Sequence, residues 1–206
     1  RQHCGDRLGD RVLSVRLGGV RWQLSPLFPA LLVVLLSAPA AAPVGRCVAA
    51  AFWHESGHIL AMALCGARPR AVTLGAFGIR MEQDDACTLS YRQNIAVSAA
   101  GPLMNFLGAA AAFLFRCPAI GSVHLGLAVF NLLPLSMLDG GQMLYSCLAL
   151  HISPSRAADV CRCLTVGCLL LLYTGAFLVL FSSGYNVSLL VTAVYLTVWL
   201  FFGEND

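Results

Sequence analysis

Three residues that could bind and activate a metal ion fall within one apolar stretch. His54, Glu55 and His58 lie in the sequence AAAFWHESGHILAMALCG, residues 49–66. Residues four apart on a helix project from the same face, with Cβ atoms about 5–6 Å apart, so the two imidazoles could hold one ion. Zinc accepts imidazole nitrogen and, at catalytic sites, takes three protein ligands and a water. Glu55 could then act on that water as a general base, which is the chemistry of the H-E-x-x-H motif.

A third ligand is required, and acidic residues are scarce in the apolar parts of the chain. Among the ten acidic residues, we find only Glu55 and Asp139 deep within apolar runs, where an ionisable group costs at least ~2.5 kcal/mol. Asp139 lies in NLLPLSMLDGGQ, residues 131–142. Pro134 removes a backbone hydrogen bond there, and the two glycines free the chain. We therefore predict Asp139 as the third ligand, presented by a broken helix.

The composition indicates an integral membrane protein. Of 206 residues, 58% are hydrophobic and 11% are charged, and the mean hydropathy is +0.76. Because about 20 apolar residues cross a bilayer, we predict an all-α polytopic membrane protein with about six transmembrane helices. An N-terminal extended segment, residues 1–23, precedes a six-span domain over residues 24–203, whose catalytic core is about 47–150. The predicted spans lie near residues 24–43, 47–65, 94–115, 119–150, 164–182 and 185–203.

The arginines predict the orientation of these spans. All thirteen basic residues are arginine, and their numbers in successive loops alternate between high and low. The positive-inside rule then places both termini in the cytoplasm of a multi-pass cell-membrane protein. Residues 66–93 and 151–163 are predicted to be cytoplasmic, and the loop with Arg46 external. We find no basic patch with interleaved aromatic residues, so no nucleic-acid partner is predicted.

The N-terminal region also allows a second interpretation. Arg-rich residues 1–21, the apolar run from Leu27 to Leu36 and the small residues at 37–43 together resemble a secretory signal peptide with an A-x-A cleavage site. Against it, Val12 and Val15 stand between the arginines, which favours an ordered extended segment that leads into the first span.

A small membrane-associated β-hairpin is predicted between spans 2 and 3. The sequence RPRAVTLGAFGIRMEQDD, residues 68–85, is rich in glycine, and apolar Val72 and Leu74 alternate with Thr73, as in a strand. We expect residues 72–74 to form an exposed strand edge, where a substrate drawn into extended form could pair. A plain cytoplasmic loop anchored by arginines is the alternative.

Three motifs together carry a family resemblance. The elements His54-Glu55-x-x-His58 and Asn131-x-x-Pro134-x-x-x-Leu138-Asp139-Gly140-Gly141 resemble the paired signatures of the site-2 protease family of intramembrane zinc metalloproteases. Between them, AAGPLMNF at residues 99–106 is similar to the G-P-x-x-N element of that family. The resemblance covers roughly residues 20–150 and is greatest for the branch that includes the stage IV sporulation protease. The CBS and PDZ domains found in some relatives are not expected here.

The resemblance implies a zinc metalloendopeptidase that cuts a peptide bond in or next to a transmembrane segment. Its substrate would be a membrane-spanning or membrane-associated protein in the lipid bilayer; in the sporulation branch that substrate is a pro-sigma factor. One Zn²⁺ per chain would be held by His54, His58 and Asp139, with Glu55 as general base. Asn131 or Asn105 would donate a hydrogen bond to the oxyanion. An inhibitory membrane protein is a further candidate partner.

Other function classes remain open. The same site could belong to a membrane protein that handles or transports a metal, or to an inactive protease homologue that acts by binding. Glu55-x-x-His58 also suggests a di-iron helical bundle. Such di-iron sites need several more carboxylates on facing helices, and a transporter is expected to show repeated halves; the sequence shows neither.

Overall fold

The computed structural model describes residues 13–17, 20–24, 41–67, 69–75, 78–83 and 89–202. These residues form four strands and six helices. The strands are β1 (Leu13–Leu17), β2 (Val20–Leu24), β3 (Pro69–Gly75) and β4 (Gly78–Gln83). The helices are α1 (Ala41–Leu64), α2 (Tyr91–Leu114), α3 (Pro118–Asn131), α4 (Asp139–Ala149), α5 (Pro154–Ser183) and α6 (Ser188–Phe202).

Helix α2 is the centre of the helical packing. It packs against α1, α3 and α4, and α1 also contacts α3. Helix α5 connects this group to α6, and a core of Leu135, Leu169 and Leu196 joins the segment between α3 and α4 to both of these helices. The helices that carry His54 and Asp139 therefore both pack against α2, which carries the third sequence motif.

The start of α2 is fixed by local hydrogen bonds. Ser90 is the N-cap and its hydroxyl accepts from the backbone N–H of Gln93, while the Gln93 side chain accepts from the backbone N–H of Ser90. This reciprocal capping box satisfies two N–H groups that a helix start leaves without partners. The Gln93 amide also donates to the Cys65 carbonyl just after α1, which links the start of α2 to the end of α1.

Two of the described helices are long and apolar enough to cross a membrane by length and composition. They are α2 and α5, and shorter apolar helices cover Pro118–Asn131 and Ser188–Val198. Most of the first predicted span, residues 24–43, lies outside the described residues. The count of six spans therefore stays a prediction.

The predicted boundary between the first two spans was wrong. Helix α1 already begins at Ala41 and continues through residues 44–46 without a break. Pro43 does not end it, because a proline in the first turn of a helix removes an N–H that has no partner there. Arg46 lies inside the helix, where its Nε donates to the Ala42 carbonyl, and is not in a loop.

The predicted interruption of the fourth span is present. Helix α3 ends at Asn131 and α4 begins at Asp139. The two glycines have a different role from the one expected, since Gly140 and Gly141 lie in the first turn of α4 and not in the break. A Cβ atom on either one would overlap carbonyl groups of the preceding segment. These glycines therefore let α4 pack tightly against the break.

The strands form one sheet in the order β1-β2-β3-β4. The pairs β1–β2 and β3–β4 are antiparallel, whereas β2 and β3 are parallel. The sheet is larger than the small hairpin expected in residues 68–85, because strands from the N-terminal segment join it. Thr73 in β3 lies opposite Gln23 on one side and Arg80 on the other. The expected exposed edge at residues 72–74 was therefore wrong: β3 is paired on both sides.

Candidate metal centre

Helix α1 presents its two histidines to a single point. His54 and His58 are 5% and 8% exposed, and their Nε2 atoms are 3.1 Å apart. The ring planes are nearly perpendicular, with an angle of 82° between them. Both rings thus project from one helical face into the interior, as their four-residue spacing predicts.

Asp139 reaches the same point from α4. Its Oδ2 lies 3.0 Å from His54 Nε2, and its Oδ1 lies 3.3 Å from His58 Nε2. Asp139 is the first residue of α4, where the positive end of the helix dipole favours an anion such as its carboxylate. The structure therefore brings together the three side chains that the sequence predicted as ligands.

These side chains fit one zinc ion. The two Nε2 atoms are 3.1 Å apart, and each lies near a different oxygen of Asp139, at 3.0 Å from Oδ2 and 3.3 Å from Oδ1. These separations are close to about 3.3 Å, the edge of a tetrahedron with ligand bonds of ~2.0–2.1 Å. Asp139 Oδ2 is also buried, and within the part of the chain that the structure describes it has no hydrogen-bond partner, although it lies 3.0 Å from His54 Nε2. A buried carboxylate oxygen without a donor is costly, and a cation between the three groups would satisfy it.

The nitrogen of His58 that faces away from this point is held by the backbone. His58 Nδ1 lies 2.8 Å from the Val97 carbonyl oxygen in α2, and a carbonyl can only accept. A neutral ring that donates to this carbonyl carries its proton on Nδ1, and its Nε2 then has a lone pair for a metal. Metal-binding histidines commonly donate their second N–H in this way.

Asn105 makes the corresponding contact with His54. Its side chain is 0% exposed, and its Nδ2 lies 3.1 Å from His54 Nδ1. This is the ring nitrogen opposite the ligand atom, so Asn105 faces the outer side of His54. This contact can orient the imidazole, and the predicted oxyanion role of Asn105 stays a prediction.

The other two predicted residues are Glu55 and Asn131. Glu55 follows His54 on α1 and is partly buried. Asn131 is the last residue of α3, and its Nδ2 donates to the carbonyl of Leu127 in the same helix, 3.0 Å away. Their roles as general base and oxyanion donor stay predictions.

One polar contact of the site was not predicted from the sequence. His124 in α3 places Nδ1 2.9 Å from Asn105 Oδ1. The available signal was a histidine in an apolar run, which is the same kind of exception that identified Asp139. It was missed because no sequence motif pairs His124 with the other site residues.

Glycines allow α1 and α2 to approach closely around the histidines. A Cβ atom on Gly57 of α1 would lie 2.6 Å from the Ala100 carbonyl oxygen in α2. One turn earlier in α1, Trp53 Nε1 donates to the Met104 carbonyl oxygen at 2.8 Å. The two helices are thus in backbone contact at the level of the site.

Comparison with known proteins agrees with the motifs. The chain is 28% identical over 163 residues to stage IV sporulation protein FB of Bacillus subtilis (strain 168), a match that covers 72% of the chain and 54% of that protein. The chain therefore spans about half the length of this relative. A solved structure, the site-2 protease from Methanocaldococcus jannaschii, matches with a TM-score of 0.67 at 17% identity, over 90% of this chain and 91% of that one.

One match is thus a sporulation protein and the other a site-2 protease structure. They confirm the resemblance predicted from the three motifs. At 17% identity the structural match shows the shared fold. No protein-family model matches the sequence.

Proposed function

We propose that the chain is an intramembrane zinc metalloendopeptidase. The observation that carries this proposal is the group of buried His54, buried His58 and partly buried Asp139, whose donor atoms lie within 4.8 Å of one another. Glu55 is next to His54 on the same helix, as the H-E-x-x-H mechanism requires. The match to a site-2 protease structure supports the same reaction class.

The proposed chemistry is hydrolysis of a peptide bond. Zinc, when bound, supplies a Lewis acid that polarises a carbonyl and lowers the pKa of a bound water to about 7. Glu55 takes the proton from the attacking water and returns it to the leaving amine. Asn131 lies at the end of α3, close in sequence to the break, and becomes an oxyanion donor once its amide releases Leu127.

The proposed substrate is a membrane-spanning or membrane-associated protein. Two helices apolar enough to cross a bilayer support a site that acts within or beside the membrane. The similarity to a sporulation protein supports a pro-sigma factor as the substrate class. We further propose one zinc per chain and a six-span topology with both termini in the cytoplasm.

The sheet suggests how a substrate is held in extended form. Because β3 is paired on both sides, the edge strands of the described sheet are β1 and β4. Strand β4 is the last described strand before α2, and among the described strands it pairs with β3 alone. A substrate segment could add to its outer edge by main-chain hydrogen bonds. This replaces residues 72–74 as the proposed pairing edge.

Substitution of Glu55 tests the proposed function. The wild type and Glu55→Gln are co-expressed with candidate single-span substrates, and cleavage and bound zinc are both measured. Loss of a general base should lower the cleavage rate by about 10²–10⁴-fold, while zinc stays bound through the unchanged ligands. Asp159→Asn makes the same chemical change at an exposed position and should leave cleavage unchanged.

Two outcomes would contradict the proposal in different ways. Full cleavage by Glu55→Gln would remove Glu55 as the base. A wild-type protein that binds zinc but cleaves none of the substrates would favour the alternatives, a metal-handling membrane protein or an inactive homologue.

A further inference from the structure

A line of hydrogen bonds leads from His54 away from the metal site. His54 Nδ1 lies 3.1 Å from Asn105 Nδ2, and Asn105 Oδ1 lies 2.9 Å from His124 Nδ1. The three residues come from three different helices, α1, α2 and α3. Asn105 contacts both imidazoles, so its amide couples the state of one ring to the other.

The position of His124 is fixed by shape as well as by this bond. Its ring lies against Gly108, where a Cβ atom would come within 2.8 Å of His124 Nδ1. Asn105 and Gly108 are three residues apart and share a face of α2. A side chain at position 108 would displace the ring. Gly108 therefore leaves the space that the His124 ring needs to direct Nδ1 toward Asn105.

Metal binding sets the direction of these hydrogen bonds. A histidine that binds a metal through Nε2 carries its ring proton on Nδ1, and that N–H needs an acceptor. Asn105 can accept only with its amide oxygen. The structure places Asn105 Nδ2 toward His54 and Oδ1 toward His124. A half-turn of the amide, which hardly changes its shape, exchanges the two ends, so that the oxygen faces His54 and the NH₂ group faces His124. His124 must in turn offer an unprotonated Nδ1 as acceptor.

We propose that Asn105 and His124 act together as positioning residues that hold His54 in the tautomer and orientation that bind the metal. This inference rests on the proposed zinc site. His124 is not a ligand; it acts through Asn105 by accepting from the amide. Without that acceptor, the buried NH₂ group of Asn105 loses its partner, and the amide no longer favours the orientation that His54 needs.

Zinc affinity in detergent, measured by competition with a chromophoric chelator, tests the proposal directly. Partners of metal-binding histidines typically contribute about 10–100-fold to metal affinity. We expect a loss in that range for Asn105→Leu, and about tenfold for His124→Phe, which keeps a ring over Gly108 but removes the acceptor. His124→Asn restores a short acceptor near the Nδ1 position and should recover most of the affinity.

Cobalt-loaded protein provides a second readout. The visible absorption of bound Co²⁺ depends on the geometry of its ligands, so we expect His124→Phe to change the spectrum and His124→Asn to resemble the wild type. His151→Phe makes the same substitution at an exposed turn and should alter neither affinity nor spectrum. Thermal unfolding of each variant in detergent checks that the fold is retained.

The outcomes separate this inference from the proposed function. Wild-type affinity and spectrum in His124→Phe would overturn the role of His124 while leaving the protease proposal intact. Equal losses in His124→Phe and His124→Asn would show that ring packing matters and the acceptor does not, which also overturns it. The expected pattern without any substrate cleavage would support the positioning role and reject the protease. A wild type without zinc affinity would overturn both.

Discussion

Gly101 of α2 lies so close to the ring of His58 that a Cβ atom at position 101 would overlap it. The same atom would also come within 2.7 Å of Cε1 of His54. Gly101 is buried, so a side chain there could not turn outward. The missing side chain in the middle of α2 is therefore a condition for both histidines to face Asp139.

Gly101→Ala should weaken zinc binding. Overpacking of a buried position costs about 1–3 kcal/mol, which corresponds to about 5–150-fold in affinity if the rings are displaced. Chelator competition measures this. Gly126→Ala in α3 is the matched control, because nothing lies within 4 Å of a Cβ atom there. Equal zinc affinity in both variants would show that the rings tolerate the added methyl group.

Removal of any one ligand should release the metal. We expect about one zinc per chain for the wild type after purification in detergent, and a loss of affinity above about 100-fold for His54→Ala, His58→Ala or Asp139→Ala, since even indirect partners contribute 10–100-fold. Metal analysis of the purified variants checks this, with His151→Ala as the control. Full zinc content in Asp139→Ala would remove Asp139 from the ligand set.

The membrane topology is tested by cysteine labelling. The 24 residues of α2 are about 36 Å long at 1.5 Å per residue, so its two ends lie on opposite sides of a bilayer that it spans. In a background without other cysteines, Cys117 in the turn after α2 should react with an impermeant reagent added outside. Ser155→Cys, exposed in the first turn of α5, should react only after the inside becomes accessible. Labelling of both from one side would reject the predicted orientation.

The proposed ligands were predictable from the sequence because the signals that identify them are local or rare. A four-residue spacing on a helix sets the directions of His54 and His58 without any tertiary contact. Asp139 was predicted because acidic residues are rare in the apolar runs and an acid there needs a partner. The interruption before Asp139 follows from Pro134, whose missing N–H acts at its own position in any context.

The features that the sequence did not predict depend on neighbours. Alternation of apolar and polar residues indicates that residues 72–74 form a strand, but it does not show that β2 pairs with it. The sequence motif that contains Asn105 does not show that its amide lies against His54, because that contact depends on the packing of α1 on α2. In the same way, His124 gains a role only because α3 places it opposite Asn105.

Thr165 of α5 stabilises the broken segment that leads to Asp139. Its Oγ1 accepts from the backbone N–H of Ser136 at 3.0 Å and donates to the Cys161 carbonyl at 2.8 Å, and Thr165 is 0% exposed. Ser136 has no helical partner for this N–H, because it lies between α3 and α4. The hydroxyl of a distant helix thus satisfies a backbone donor three residues before the ligand.

Thr165→Val should destabilise the protein and loosen the metal site. Valine keeps the shape but not the acceptor, and a buried N–H without a partner costs about 1–3 kcal/mol. We expect a lower thermal midpoint in detergent and faster zinc loss to excess chelator. Thr174→Val is the matched control, because Thr174 is exposed on the same helix and its hydroxyl donates only to the Leu170 carbonyl of that helix. If both variants unfold at the wild-type temperature and release zinc at the wild-type rate, the hydrogen bond to Ser136 does not hold the break in place.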